Sequence, residues 1–465
     1  MNSKTKSLLK DTMIFALGSL GSKVILFFLV PLYTNYLSTE EYGIADLVST
    51  FASLIIPISC LTINSAVIRF GMKKDENAEN VLRTAFVVLV FSILVTIILY
   101  PFLGFYKTIK ELRLYLSVQV ILYNFTEVEK TYLKVKNKNK LFSIISILQT
   151  AVLALSNLVL LTVMHLGVRG YLIANIAAAS IGTVVPLITG NIWKDLIRGH
   201  FDSSLLRRMV YYSCPLIFSN ISWWVVHSSD KIMIECLITA SSLGIYTAAT
   251  KIPSLINVII AIFNQAWGIS SIKEVEENND NSFMSSVINL FCSVLFGACL
   301  VFIIIIKPFM SIYVGKDFSE AWIYTPFLLV AAVLFSVSAL IGSLYSAIEK
   351  TKNDMWTTIL CAIINVIVNY LGIKLLGVWG AVLGTVVAYF VCASIRVVDI
   401  KKLLRIDIVK KYFYNIILLL SLSMIISFQI KPFVFSIAFV ILYVALNINE
   451  LKFLITKTIK MINIR

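Results

Sequence analysis

The amino-acid sequence predicts an all-α, polytopic membrane protein with about 14 transmembrane helices. Hydrophobic residues make up 59% of the 465 residues and charged residues 14%, whereas an ordinary soluble domain has about 25% charged residues. A helix needs about 20 apolar residues to cross a bilayer, and about fourteen segments long enough to do so follow one another along the chain. The connections between them are short, so the sequence leaves no room for a soluble catalytic domain.

The predicted spans run from near the N-terminus almost to the C-terminus. In chain order they cover residues 12–33, 43–68, 84–103, 112–133, 141–164, 170–191, 209–233, 243–268, 284–306, 321–347, 355–375, 378–398, 411–430 and 432–449. The first is too long for a signal peptide, contains Lys23 and has no small-residue cleavage site before Pro31. We therefore interpret it as a retained span.

A weak internal repeat indicates how the spans are organised. Residues 36–47 align with residues 237–248, which places Gly43 on Gly244. A Gly-Val-x-Gly turn recurs in the same order, in residues 166–172 and 376–382. These matches predict a duplication of six spans, whose copies enter the membrane from the same side and form two pseudo-symmetric six-helix lobes, related as parallel repeats.

The repeat predicts three domains, with two C-terminal helices added after the second lobe. They are an N-terminal lobe (1–200), a C-terminal lobe (201–405) and a segment with the last two spans and a cytoplasmic tail (406–465).

The net charge of +15 reflects membrane topology rather than nucleic-acid binding. If the N-terminus is cytoplasmic, about three quarters of the 40 Lys and Arg residues lie on cytoplasmic segments. Cytoplasmic retention of positive residues near span ends orients the chain with both termini inside the cell.

Several kinds of chemistry are missing from the sequence. No GxxxxGK[ST] motif is present to hold a nucleotide phosphate, and the three histidines form no HExxH motif. The seven cysteines form no CxxC pair, which predicts neither a disulfide framework nor a zinc site. The sequence thus predicts no enzyme, no cofactor, no metal and no nucleotide, and the short external loops disfavour a polysaccharide polymerase or ligase.

Ionisable residues inside spans are costly, by about 2.5–3.5 kcal/mol each on insertion scales, and are candidate functional groups. Lys23 lies at the midpoint of span one, and Lys251 lies in span eight just before Pro253. Each lysine is either a cavity-lining cation for an anionic substrate or one half of a structural pair with an acid. Arg69 is either a cytoplasmic anchor or a gate that binds phosphate in a bidentate manner.

Acidic, amide and aromatic side chains supply the remaining candidates. Asp46 and Asp230 are candidate counter-ions or proton or sodium sites, with helix capping as the alternative for Asp46. Trp223 and Trp224 lie in mid-span, where packing and stacking on a sugar are both open. The amides flank the predicted cleft, where they could bind sugar hydroxyls or join helices. They are Asn64, Asn220, Asn264 and Gln265.

Four segments resemble bacterial polysaccharide-repeat flippases of the Wzx type. They are residues 31–47, 64–70, 230–234 and 243–252, and the Asn157 and Asn369 helices with their Gly-Val-x-Gly turns complete the pattern. Such flippases belong to the multidrug/oligosaccharidyl-lipid/polysaccharide (MOP) exporter superfamily, which includes the MATE transporters. The resemblance implies two six-helix lobes, a V-shaped cavity and alternating access.

The resemblance also implies a function in the bacterial cytoplasmic (inner) membrane. It implies translocation of an undecaprenyl-diphosphate-linked oligosaccharide from the inner to the outer leaflet for O-antigen or capsule synthesis, with polymerase and chain-length proteins as further partners and H⁺ or Na⁺ as coupling ion. Lys23 and Lys251 would be the cavity cations, where related lipid II flippases use mainly arginine. The alternative is a cation-coupled multidrug or metabolite antiporter of the same superfamily, which would favour an acidic, aromatic cavity.

Overall fold

The computed structural model is all-helical, as predicted. It describes residues 21–73, 75–277, 282–348, 350–404, 409–430, 432–448 and 450–452. No β-strand occurs in those ranges.

The N-terminal half begins with helix α1, residues 21–36. It continues with α2 (Thr39–Ser59), α3 (Ile63–Gly71), α4 (Ala78–Leu103), α5 (Arg113–Val135), α6 (Asn139–Asn157), a π-helical turn (Leu158–Val163), α7 (Gly167–Thr189), α8 (Ile192–Arg198) and α9 (Ser203–Leu237). The C-terminal half contains α10 (Ala240–Glu277), α11 (Ser282–Tyr313), a short 3₁₀ helix (Lys316–Phe318), α12 (Ala321–Ala347), α13 (Thr351–Leu376), α14 (Val378–Leu404), α15 (Val409–Ser427) and α16 (Pro432–Leu446).

The described part of each predicted span is largely helical, and the protein is an integral membrane protein. Within the described part of the chain, eight helices are long and apolar enough to cross a membrane, and two shorter apolar helices cover 411–427 and 434–446. Helix α5 does not meet this criterion, because Asn124, Glu127 and Glu129 interrupt its apolar sequence.

Spans two and five were predicted as continuous helices, but the structure interrupts both. Span two ends as α2 at Ser59 and resumes as α3 at Ile63. Between them, Leu61 and Thr62 adopt left-handed backbone conformations with φ of 53° and 52°. In span five, α6 passes into the π-helical turn immediately after Asn157.

The chain divides into two compact units. The first contains the described residues up to Glu235 together with Thr239–Gly244, and the second contains Cys236–Ile238 and the described residues from Ile245 onward. The boundary predicted near residue 200 separates the two copies of the internal repeat, and it stays a prediction.

An apolar core and a polar network hold the first unit together. Buried side chains of α3, α4, α5 and α8 form one hydrophobic cluster. At its edge Tyr132 donates to Asp195 over 2.9 Å, and Lys136 lies 3.4 Å from Asp195 and 3.5 Å from Glu79. The network therefore joins α4, α5 and α8 at one end of the bundle.

The start of α10 packs closely on the start of α2 within the first unit. A Cβ on Gly43 would lie 2.0 Å from the carbonyl oxygen of Ala240, and one on Gly244 would lie 1.8 Å from that of Thr39. The contact is reciprocal, because each glycine meets the carbonyl four residues before the other. The two glycines that the repeat alignment superposes thus pack against each other.

The second unit contains a buried guanidinium clamp. Arg396 of α14 is 1% exposed, donates to Thr357, Thr358 and the Ser338 carbonyl over 2.8–2.9 Å, and pairs with Asp354 at 2.6 Å. These bonds join α12, α13 and α14. Arg396 is therefore a structural residue of the second unit.

The last two helices are attached to the second unit by amides. Asn415 and Asn447 exchange hydrogen bonds of 3.1 and 2.9 Å, and Ser293 of α11 donates to the same Asn447 oxygen over 3.2 Å. All three side chains are buried, so this polar contact anchors α15 and α16 on α11.

Candidate functional site

The break between α2 and α3 opens one wall of a polar cavity in the first unit. Pro57 lies inside the last turn of α2, and the Thr62 N–H donates to its carbonyl over 3.1 Å. Proline and the left-handed residues that follow interrupt the regular helical hydrogen bonds. Irregular backbone at membrane depth is tolerated where it is buried in protein or lines a hydrated cavity.

The cavity has a volume of about 530 Å³ and is formed by α2, α3, α5 and α9. Its lining combines amides, indoles, hydroxyls, one carboxylate and one imidazole. The lining residues are Ser53, Ile56, Pro57, Cys60, Thr62, Asn64, Tyr123, Asn124, Glu127, Val128, Asn220, Trp223, Trp224, His227 and Ser228. Its volume lies within the range of about 300–1,000 Å³ for small-molecule sites.

Four of the predicted polar and aromatic residues therefore meet in one place. They are Asn64, Asn220, Trp223 and Trp224. Asn64 follows the break after α2, and the other three lie within two turns of α9. Their role in substrate binding stays a prediction.

The two tryptophans are held in different ways. The Trp224 indole N–H lies 3.0 Å from the Thr50 carbonyl and 3.1 Å from the Ser53 hydroxyl, so its edge is fixed on α2. The Trp223 ring stacks on His227, with 5.6 Å between ring centroids and 14° between planes. The cavity wall on α9 is thus an ordered aromatic surface.

Two amides of the cavity, Asn124 on α5 and Asn220 on α9, already make hydrogen bonds. The Asn124 amide donates to Ser59 over 2.9 Å and to Ser92 over 3.3 Å, and its Oδ1 has no hydrogen-bond partner among the described residues. The Asn220 amide donates to Thr62 over 3.3 Å. The Asn124 bonds tie α5 to α2 and α4 while leaving one acceptor unused.

Glu127 is the site residue that sequence reasoning missed. It lies one helical turn after Asn124, is exposed and lines the cavity. Its position just before the basic run from Lys130 to Lys140 made it resemble an ordinary cytoplasmic span end. The three-residue spacing of Asn124 and Glu127, which places both on one face of α5, is the signal that could have identified it.

The predicted acids lie at one end of α9. Asp46 is buried and forms an ion pair of 2.8 Å with Lys231, the residue that follows Asp230 in the sequence. Asp230 is buried as well, and one of its oxygens accepts from the Lys231 N–H over 2.9 Å. Whether either acid binds a coupling ion stays a prediction.

A further acid, Glu235, lies near the same end of α9. Glu235 accepts hydrogen bonds from the hydroxyls of Tyr106 and Thr108, in the connection between α4 and α5. Phe51 packs edge-on against Tyr106 with ring centroids 5.2 Å apart. The end of α9 is therefore bound to this connection as well as to α2.

None of the three predicted cations lines this cavity. Lys23 is exposed on α1, Arg69 is exposed at the end of α3, and Lys251 is half-buried on α10, two residues before Pro253. Their predicted role in binding an anionic head group stays a prediction.

The remaining predicted amides belong to α10. Asn264 is half-buried, and its Oδ1 has no partner in the described residues. The side chain of Gln265 lies outside the described residues.

Comparisons with known proteins identify a family and a fold. A family model described as "Polysaccharide biosynthesis protein" matches residues 8–268, which is more than half of the chain. Lsg locus protein 1 from Haemophilus influenzae is 23% identical over 263 residues, covering 55% of this chain and 64% of that protein. The matched region therefore spans slightly less than two thirds of that relative's length.

Solved structures show the same fold. The lipid II flippase MurJ in an inward closed conformation matches with a TM-score of 0.69 and 16% identity, covering 95% of this chain and all of the other. An inward-facing multidrug resistance MATE transporter of the MOP superfamily matches with a TM-score of 0.65 and 15% identity, covering 87% and 95%. The chain thus has the fold of MOP-superfamily transporters, as the sequence predicted.

Proposed function

The chain belongs to the polysaccharide biosynthesis protein family, and from this membership we propose that it is a flippase for undecaprenyl-diphosphate-linked oligosaccharides. It would move repeat units from the inner to the outer leaflet of the bacterial cytoplasmic membrane by alternating access, for O-antigen or capsule synthesis. Polymerase and chain-length proteins would receive the translocated units. Family membership is the observation that carries the proposal, and the transporter fold agrees with it.

The cavity supports a saccharide cargo. Sugars present hydroxyls on their edges and C–H groups on their faces, so they need both hydrogen-bonding groups and flat apolar surfaces. Asn64, Asn124 and Asn220 supply amides, and Trp223 and Trp224 supply indoles in the same cavity. A lipid-linked cargo also keeps its polyprenyl chain in the bilayer, so the cavity needs to hold only the polar head.

Translocation measured with purified protein in vesicles tests the proposal. A lipid-linked oligosaccharide is placed in both leaflets, and a membrane-impermeant glycosidase or lectin reports how much becomes accessible with time. We expect the accessible fraction to rise from about one half towards completion only in vesicles that contain the protein. Equal accessibility with and without the protein would refute a flippase.

One observation favours a second candidate, a cation-coupled multidrug or metabolite antiporter. The described lining of the cavity is aromatic and contains the Glu127 carboxylate but neither lysine nor arginine, which suits an organic cation. Export of a cationic dye, driven by a proton or sodium gradient and unaffected by lipid-linked sugars, would support this alternative. Competition between the dye and the lipid-linked oligosaccharide would place both in one site.

A further inference from the structure

The cavity of the first unit contains acceptors that lack donors. The Glu127 carboxylate is exposed to it, and Asn124, which is 1% exposed, has an Oδ1 without a hydrogen-bond partner in the described residues. An ionised carboxylate only accepts hydrogen bonds. A ligand that forms hydrogen bonds with these acceptors must therefore offer O–H or N–H groups.

The charge of the lining is one-sided. Glu127 is a carboxylate, His227 stacks on Trp223, and no lysine or arginine is found among the described residues that line the cavity. The nearest described ion pair on α9 is Lys231 with Asp46, and that lysine is already occupied by a carboxylate 2.8 Å away. Lys130, one helical turn after Glu127, is not among the lining residues, and its ammonium donates to Gln149 over 2.6 Å. A second negative charge brought into this space would meet Glu127 without a cation among the described lining residues to offset it.

We propose that this cavity selects the sugar part of the cargo by charge. It takes neutral or amino sugars, which donate to Glu127 and Asn124 and stack on the indoles, and it disfavours sugars that carry a carboxylate. The proposal rests on the proposed flippase function and adds the chemical class of the repeat unit. Repulsion of like charges is an effective way to reject a competing ligand.

The two ends of the cargo then bind in different environments. The diphosphate needs cations, and the predicted cations Lys23 and Lys251 do not line this cavity. The sugar needs acceptors for the hydrogen bonds of its hydroxyls and flat surfaces for its faces, and the cavity offers both. Specificity for the sugar therefore depends on Glu127, and the lysines affect all diphosphate cargoes alike.

The test uses two lipid-linked repeat units that differ only in one sugar, a neutral hexose in one and the corresponding uronic acid in the other. Translocation of each is measured in vesicles with wild-type protein, Glu127→Gln and Glu127→Lys. Wild type should move the neutral unit about tenfold faster. Repulsion between two like charges about 4 Å apart near a protein surface is large enough to produce this factor. The ratio should fall to about one in Glu127→Gln and invert in Glu127→Lys, because the charge is first removed and then reversed.

The controls separate the possible failures. Glu111→Gln removes an exposed carboxylate in the connection between α4 and α5, outside the cavity, and should keep the wild-type ratio. If wild type moves neither unit, the proposed flippase function fails. If it moves both at the same rate, or if Glu127→Gln leaves the ratio unchanged, the flippase function stands and the charge selection by Glu127 is wrong.

Discussion

Lys23 and Lys251 are single ammonium groups on apolar helices, and each is a candidate to bind the diphosphate of the cargo. Lys23 is exposed on α1 and Lys251 is half-buried on α10. A lysine neutralises phosphate as a point charge, without the bidentate geometry of arginine. We expect Lys23→Ala and Lys251→Ala each to reduce translocation by about tenfold or more, since one lost charge contact is worth at least about 1.4 kcal/mol.

Membrane insertion and thermal stability are measured in parallel, and both should stay at wild-type values. Lys316→Ala, which changes an exposed lysine of the short 3₁₀ helix, is the matched control and should translocate normally. Normal translocation by both lysine variants would remove them from the binding site.

Glu129 is a buried acid that has no role in the proposed function. It is 0% exposed on α5, and neither of its oxygens has a hydrogen-bond partner among the described residues. Burying a polar group without a partner costs about 1–3 kcal/mol by mutational data. Glu129→Met, which keeps the length and removes the polar atoms, should therefore raise the stability by about that amount.

Thermal unfolding in detergent measures this change. The control Glu127→Met alters the exposed carboxylate two residues away and should leave the unfolding temperature nearly unchanged. A lower unfolding temperature for Glu129→Met would show that the buried carboxyl has a stabilising partner.

Residue chemistry also explains what the sequence could and could not predict at the site. Trp223, Trp224, Asn64 and Asn220 were recognisable because polar or aromatic groups in mid-span are unusual. Glu127 was not, because a carboxylate beside a basic run near a span end has an ordinary topological explanation. Its position on the cavity depends on how α5 is rotated against α2 and α9, which a single sequence does not specify.

At the scale of the helix, the prediction was accurate wherever apolar length decides the structure. It was inaccurate at Leu61 and Thr62, where two residues other than glycine adopt positive φ and divide span two. Pro57 alone does not require such a break, since a proline within a transmembrane helix is also accommodated by a kink. A tertiary contact meets the break, where Asn220 of α9 donates a hydrogen bond to Thr62.

The crossing of α2 and α10 provides a prediction about helix packing. Alanine normally stabilises a helix relative to glycine by about 0.5–1 kcal/mol. At Gly43 and Gly244 the added Cβ would lie 2.0 and 1.8 Å from backbone carbonyl oxygens, so the helices would have to separate. Gly43→Ala and Gly244→Ala should each lower the unfolding temperature, because backbone cannot move aside as a flexible side chain can.

Gly21→Ala is the matched control for these two variants. Among the described residues, its Cβ would meet only the Ile147 side chain, at 4.0 Å. The helical preference for alanine should therefore dominate there, and the unfolding temperature should stay the same or rise. Equal effects at all three positions would show that close helix contact is not what the two repeat-related glycines provide.

For the whole molecule, the distribution of basic residues predicts both termini in the cytoplasm. Most of the 40 Lys and Arg residues fall on segments that would then be cytoplasmic, and such residues are retained on that side. Fluorescent reporters that mature only in the cytoplasm, fused after residues 200 and 465, should be bright, and one inserted between residues 104 and 111 should be dark. The reverse pattern would invert the topology and with it the direction of transport.

Transport of the intact cargo should also respond to the membrane potential. A diphosphate carries about two negative charges, and moving them out of a cell that is negative inside by 100 mV is favourable by about 4.6 kcal/mol, at about 2.3 kcal/mol per charge. In vesicles with a potassium diffusion potential, equal pH on both sides and no sodium, an inside-negative potential should accelerate outward translocation. A cargo linked through a single phosphate should show about half that dependence, because the energy scales with the number of charges. A rate independent of potential for both cargoes would mean that the charges cross together with compensating cations, and the acids Asp46 and Asp230 would then be the positions to examine for a coupled ion.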